Sequence, residues 1–312
     1  MMERIHITDV APRDGLQNQA VPVSTAQKLA LVERLVAAGV NSVEITSFVS
    51  PKAVPQMADA AELLPQVLDR FGALRSSVLV PNLKGLERAH AAGAREIAVV
   101  LSATETMNRK NINMGLDEAT AVSEQTLQAA LALGLRTRAY VAVAFDCPFE
   151  GETPLERVIA LSRRMAEAGA HEVVIADTIG AASPGMVKER LNALTQAMAA
   201  DQLAVHFHDT RGMGAANAWA ALEAGIRRFD ASVGGIGGCP FAPGAAGNLA
   251  TEDLVLLAER SGFSTGVSLP GLLQAIDLAQ DVLQRPLGGR SMAWLRRQQA
   301  HARDGAKGAT TR

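Results

Sequence analysis

The sequence predicts an α/β protein of the (β/α)8 TIM-barrel class with additional C-terminal helices. Two observations carry that prediction. A short phrase recurs along the 312 residues, as Ala38-Gly39-Val40, Ala92-Gly93-Ala94, Leu133-Gly134-Leu135, Ala168-Gly169-Ala170 and Ala224-Gly225-Ile226. Each copy follows an amphipathic, alanine-rich stretch, and its glycine suits the left-handed residue that closes a helix. The runs that come next are almost continuously apolar rather than alternating. Strands covered on both faces read this way, and parallel sheets are so covered.

Taken in order, strands are expected at 5–10, 42–45, 77–80, 96–101, 138–143, 173–176, 203–208 and 229–233. Helix-length segments separate them, which makes eight strand-plus-helix units over residues 3–250. An open, doubly wound sheet shares this periodicity and is the competing architecture. Two further helical patterns follow at 251–262 and 269–285. Residues 1–290 are therefore read as one barrel domain with a helical extension from about 251. Residues 291–312 are read as a flexible tail, because apolar residues thin out from about Arg297 and Gly305 and Gly308 fall within it.

Composition narrows the function classes. Thirty basic side chains nearly balance 32 acidic ones, for a net charge of −2. No Lys/Arg block is present to neutralise a run of phosphates, so nucleic acid is not an expected partner. The longest apolar stretch is residues 139–145, far shorter than the roughly 20 residues a spanning helix needs. Two cysteines, Cys147 and Cys239, are too few for a disulfide scaffold. The first residues lead almost directly into a strand without a charged-then-apolar leader. The expectation is a soluble protein of a reducing, cytoplasmic compartment.

In such a barrel, chemistry is done at the carboxyl ends of the strands. The first strand runs into Ala11-Pro12-Arg13-Asp14-Gly15, and the second carries Glu44 in an apolar run before Thr46 and Ser47. The sixth ends at Asp177 and the seventh at His206-Phe207-His208-Asp209. The eighth leads into Gly234-Gly235-Ile236-Gly237-Gly238-Cys239-Pro240, with Gly247 and Asn248 soon after. Strand residues i and i+2 share a face, so His206 and His208 project together as a divalent-metal pair that still needs an oxygen ligand. Asp14, two strands away around a closed barrel, can supply it. The plain alternative is two core histidines satisfied by hydrogen bonds. Glu44 facing the barrel interior needs a cationic partner, and Arg13 is the candidate. A guanidinium held that way stabilises a developing oxyanion; otherwise Arg13 and Asp14 form a solvated ion pair. The glycine-rich run lacks the lysine of a phosphate-binding loop and reads as a mobile flap carrying Cys239 over the barrel mouth. Cys147 reads as an inert core thiol.

Several stretches together resemble the 3-hydroxy-3-methylglutaryl-CoA (HMG-CoA) lyases. They are Ala11-Pro12-Arg13-Asp14-Gly15-Leu16-Gln17-Asn18, Thr46-Ser47-Phe48-Val49-Ser50-Pro51-Lys52, Arg109-Lys110-Asn111-Ile112-Asn113 and Asp177-Thr178-Ile179-Gly180. The most specific is 232–240, Ser-Val-Gly-Gly-Ile-Gly-Gly-Cys-Pro, continued by Gly247-Asn248-Leu249-Ala250-Thr251-Glu252-Asp253. The resemblance runs to about residue 285. It implies a metal-dependent barrel lyase of the group that includes isopropylmalate and homocitrate synthases.

On that resemblance, Asp14, His206, His208 and Asn248 would ligate Mg²⁺ or Mn²⁺. Arg13, Glu44, Asp177 and Cys239 fall on catalytic positions, with His206 a second candidate acid beside Cys239. Lys110, Asn111 and Ser47 lie in segments expected near the acyl-CoA. The implied reaction is retro-Claisen cleavage of HMG-CoA to acetoacetate and acetyl-CoA, in leucine catabolism or ketone-body formation, by a homodimer. The base is open among Asp177, Asp14, His206 and a water. Asp9 and Gln19 stand where the family has glutamate, and 102–107 and 209–213 also depart from its pattern; these bear on the acyl group more than on the reaction. The alternatives are a lyase for a related 3-hydroxy-acyl-CoA such as citramalyl-CoA, a condensing acyl-CoA synthase, a non-haem Fe(II) oxygenase, and a CoA-binding scaffold without activity.

Overall fold

The computed structural model describes residues 2–238 and 247–309, with side chains as far as 301. Eight parallel strands among these residues close into a barrel: β1 (His6–Asp9), β2 (Ser42–Ser47), β3 (Arg75–Leu79), β4 (Glu96–Ser102), β5 (Arg136–Ala142), β6 (Glu172–Asp177), β7 (Leu203–Phe207) and β8 (Arg228–Ala231). Each pairs with its neighbours in sequence, and β8 returns to β1 with Asp230 beside Thr8. Closure excludes the open sheet. A small antiparallel ladder, Asp146–Cys147 with Gly151–Glu152, follows β5.

The helices are α1 (Thr25–Ala37), α2 (Ala60–Arg70), α3 (Leu83–Ala91), α4 (Glu105–Ile112), α5 (Leu116–Ala132), α6 (Leu155–Glu167), α7 (Pro184–Ala197), α8 (Gly214–Glu223), α9 (Thr251–Arg260), α10 (Leu269–Leu283) and α11 (Met292–Ala309). The recurring glycines follow α1, α3, α5, α6 and α8, all at positive φ, from 75° at Gly134 to 105° at Gly169. At Gly39 the backbone also runs so close to Gly266 that an added Cβ would lie 2.4 Å from its carbonyl oxygen. Residues such as Val43, Ile45, Val141, Ile175 and Phe207 bury the outward face of the strands in the main apolar core.

The inward face differs. A small apolar plug of Ala98, Tyr140, Val174 and Ala204 crosses the barrel, and buried charged side chains also face the interior. Strand period puts them there: Arg138 and Tyr140 lie two apart on β5, and Asp230 pairs in register with His206 across β8 and β7.

The stretch expected as a tail instead carries α11. Its entry is tied down: the backbone N–H groups of Arg290 and Ser291 donate to Asp253, Leu295 is buried, and Met292 packs half-buried against the main core. Its large apolar residues, Met292, Trp294 and Leu295, all fall in the first turn, so by sequence the polar remainder reads as a tail.

Candidate active site

After β1 the chain makes one π-helical turn, Ala11–Gly15, in which Gly15 N–H reaches back to the Val10 carbonyl at 3.2 Å. Pro12 suits the first turn, where a missing N–H does no harm. The turn aims Arg13 and Asp14 into the barrel mouth. At the end of β7, His206 and His208 share the inward face with ring centroids 5.2 Å apart. One ligating atom from each of Asp14, His206 and His208 lies within 4.8 Å of the others. Asn248 arrives on a segment that bridges His208 antiparallel. Its Nδ2 donates to Asp14 Oδ2 at 2.8 Å and to the Ile236 carbonyl at 3.1 Å.

Two buried acceptor-capable atoms of this cluster, His208 Nδ1 and Asn248 Oδ1, have no hydrogen-bond partner. A carboxylate, two imidazoles and a free amide oxygen make a mixed O/N donor set suited to a divalent cation such as Mg²⁺ or Mn²⁺. The residues fit the ion the sequence implies. Burial alone would raise the Asp14 carboxyl, but the Arg13 guanidinium, followed by the two imidazoles, outweighs it and holds Asp14 below its ordinary range. Burial and the charge of His206 push His208 down to about 4, so it presents a neutral imidazole. For His206 burial acts downward too, yet the hydrogen bond its Nδ1–H donates to Asp230 and the charge of Asp14 leave it above its ordinary value.

Beside this cluster Arg13 is clamped. Its Nε and Nη2 both meet Glu44 Oε2 at 2.6 Å, and Nη1 meets Asp14 Oδ1 at 2.8 Å. Glu44 is fully buried, and burial lifts its carboxyl despite the opposing pull of Arg13. Its other oxygen, Oε1, has no partner. A cavity of about 340 Å³ opens over Arg13, Asp14, His206, His208 and Tyr140, with an apolar wall that includes Val100, Met107 and Ile112. The arrangement combines a candidate cation site, a fixed guanidinium and an apolar wall in one mouth.

The HMGL-like family model matches residues 4–279. The chain belongs to the HMGL-like family. The hydroxymethylglutaryl-CoA lyase of Bacillus subtilis is 43% identical over 290 residues, which cover 93% of this chain and 97% of that protein. A crystal structure of the B. subtilis HMG-CoA lyase matches with a TM-score of 0.91 at 42% identity, over 94% of this chain and 98% of that one. An HMG-CoA lyase from Acinetobacter baumannii, solved with coenzyme A and 3-methylmalate, matches with a TM-score of 0.88 at 38% identity, over 93% and 94%.

In this HMGL-like barrel the remaining candidates spread around the mouth. Ser47 is buried at the end of β2 with an unpartnered Oγ. Asn111 lines the cavity from α4, and exposed Lys110 places its Nζ 5.0 Å from the Phe149 ring centroid. Asp177 uses both carboxylate oxygens to hold the loop after β6, through the N–H groups of Ala181 (2.9 Å) and Ala182 (3.1 Å); burial raises its pKa to about 6. Cys239 lies outside the described residues, though Gly238 reaches the cavity rim. Sequence reasoning missed Arg138, Tyr140 and Asp230, which form a hydrogen-bonded group against His206. The signal was present: each is a polar residue inside an apolar strand, the pattern that singled out Glu44.

Proposed function

We propose that this chain cleaves (S)-3-hydroxy-3-methylglutaryl-CoA to acetoacetate and acetyl-CoA, with Mg²⁺ or Mn²⁺ held by Asp14, His206, His208 and Asn248. The observation that carries the reading is the convergence of Asp14, His206 and His208 within 4.8 Å, next to an Arg13 fixed by Glu44, in an HMGL-like chain. In the reaction a base, taken from Asp177, Asp14, His206 and a water, accepts the C3 hydroxyl proton. The C2–C3 bond breaks as the C3–O bond becomes a carbonyl, and the electron pair moves onto the thioester oxygen as an enolate. Protonation of that enolate at carbon completes acetyl-CoA.

A bound divalent cation supplies Lewis acidity toward the substrate's hydroxyl and carboxylate oxygens. Arg13 meets the charge that develops on the thioester oxygen, a role its clamp suits because no reorganisation is needed as charge appears. Glu44 and Asp14 hold that guanidinium in place. Cys239 donates the proton to the enolate carbon, with His206 the second candidate. Asp177 braces the loop after β6 that borders the mouth. Val100, Met107 and Ile112 offer apolar surface to the pantetheine arm, and Lys110, Asn111 and Ser47 offer polar contacts to the acyl-CoA. The same reading takes the protein as a cytoplasmic homodimer, which a sedimenting mass of one 32.7 kDa chain would overturn.

The test is coupled turnover of a panel of 3-hydroxy-acyl-CoA thioesters with Mg²⁺, Mn²⁺ or a chelator. HMG-CoA is expected to give the highest kcat/KM, with activity lost to the chelator and restored by either metal. Faster cleavage of citramalyl-CoA, or indifference to the chelator, overturns the assignment.

A further inference from the structure

We propose that Asp230 is the positioning residue that fixes the imidazole of His206 as a metal ligand; this rests on the metal reading above. Asp230 sits on β8 in register with His206 on β7, and both face the barrel interior. Its Oδ2 lies 3.3 Å from His206 Nδ1. A neutral imidazole carries one ring proton, and an anionic acceptor at Nδ1 keeps the proton there. The Nε2 lone pair is then left for a cation.

Asp230 is itself held rigidly. Arg138 Nη2 donates to Oδ1 at 2.7 Å, and the Tyr140 hydroxyl donates to Oδ2 at 2.6 Å. The Tyr140 ring packs edge-on against His206, with centroids 6.0 Å apart and planes at 82°. Acceptor and ring are therefore both located before any ion arrives. His208 provides the contrast within the same cluster: its Nδ1 is buried and unpartnered, with no carboxylate against it. Asp230 is 2% exposed and does not line the cavity, so it acts through His206 rather than on substrate.

The experiment measures Mn²⁺ binding to the full chain by EPR for wild type, Asp230→Asn and Glu172→Gln. Asp230→Asn is expected to weaken Mn²⁺ binding roughly ten- to hundredfold. Glu172→Gln disturbs the same buried network at Arg138 without touching His206, and is expected to lower Tm while leaving the Mn²⁺ dissociation constant unchanged. Because Asp230→Asn removes the counter-charge of a buried arginine, a second measurement needs no variant of Asp230. In ¹⁵N-histidine-labelled wild type without metal, at alkaline pH, the His206 resonance (assigned with His206→Gln) is expected to show the Nδ1–H tautomer. An Nε2–H tautomer overturns the inference, as does a folded Asp230→Asn that binds Mn²⁺ like wild type. Wild type that binds no Mn²⁺ overturns the metal reading and this inference with it.

Discussion

The barrel interior holds two buried charge clusters, and they are finished differently. In the lower one, Arg75 pairs with both oxygens of Glu96 at 2.5 and 2.8 Å, and Arg138 meets Glu172 and Asp230 at 2.7 Å each. Every carboxylate oxygen of Glu96, Glu172 and Asp230 has a donor. At the mouth, Glu44 Oε1, Ser47 Oγ, His208 Nδ1 and Asn248 Oδ1 are buried with none. A buried polar atom without a partner costs roughly 1–3 kcal/mol, so a folded chain keeps several together where something else completes them. Buried charge alone therefore does not mark a site in this barrel. What sets the mouth apart is that four buried atoms without a hydrogen-bond partner gather there, whereas the others among the described residues, Ser77 Oγ, Ser162 Oγ, Asn217 Oδ1 and Arg227 Nε, lie on separate segments.

The sharpest way to break that distinction is to remove the guanidinium at the mouth. Arg13→Ala is expected to lower kcat about 10²- to 10³-fold with little change in KM; a loss confined to KM would end its role at the enolate oxygen. Next in size, Asp14→Ala or His208→Ala should shift the Mn²⁺ activation curve by more than the roughly ten- to hundredfold typical of an outer-sphere partner. An unmoved curve in both variants would remove them from the cation. The lower cluster should answer in the opposite currency. Glu172→Ala leaves Arg138 short of an ionic partner and is expected to cost about 3–5 kcal/mol in urea unfolding, while kcat of the folded fraction stays at the wild-type value. A collapse in kcat without a loss of stability would erase the difference between the clusters.

The same contrast explains what was legible in the sequence. The eight strands were, because glycine phrases and unbroken apolar runs are local signals. His206 and His208 were, because a period of two puts them on one face wherever the strand lies. Arg13 with Glu44 was reachable from the cost of an unpaired inward charge. Asp230 carried the same local signal as Glu44, a charge inside an apolar strand, but its partner His206 follows only from register with the neighbouring strand, which no local pattern encodes. The entry of α11 is likewise tertiary, resting on Asp253, Glu252 and the apolar contacts of Met292 and Leu295. Asp177 was legible as a polar strand end, but the hydrogen bonds its oxygens accept from Ala181 and Ala182 of the following loop were not, because they depend on how that loop folds back.

Glu252 offers a finer test, because it is buried without a cation of its own. At the start of α9 its Oε2 accepts the Gly234 N–H at 3.0 Å and its Oε1 the Gly289 N–H at 2.7 Å, which ties the loop after β8 to the approach to α11. Burial is the largest influence and, helped by the neighbouring Asp253, lifts its pKa from the ordinary 4.5 to about 7, although the backbone hydrogen bonds oppose the rise. Between those values the folded chain holds more protons at Glu252 than the unfolded chain does. Its contribution to stability is therefore full at low pH and declines as pH rises through the window. Glu252→Gln keeps one acceptor oxygen and removes the titration, so the fall in urea stability between pH 5 and pH 7 should be shallower than in wild type. The paired carboxylates of the lower cluster predict no such slope from Glu172, whose pKa is lowered: burial acts upward on it, but Arg138 and Arg75 prevail. If Glu252→Gln tracks wild type across that range, buried carboxylates held only by backbone N–H groups are as indifferent to pH here as those held by arginine.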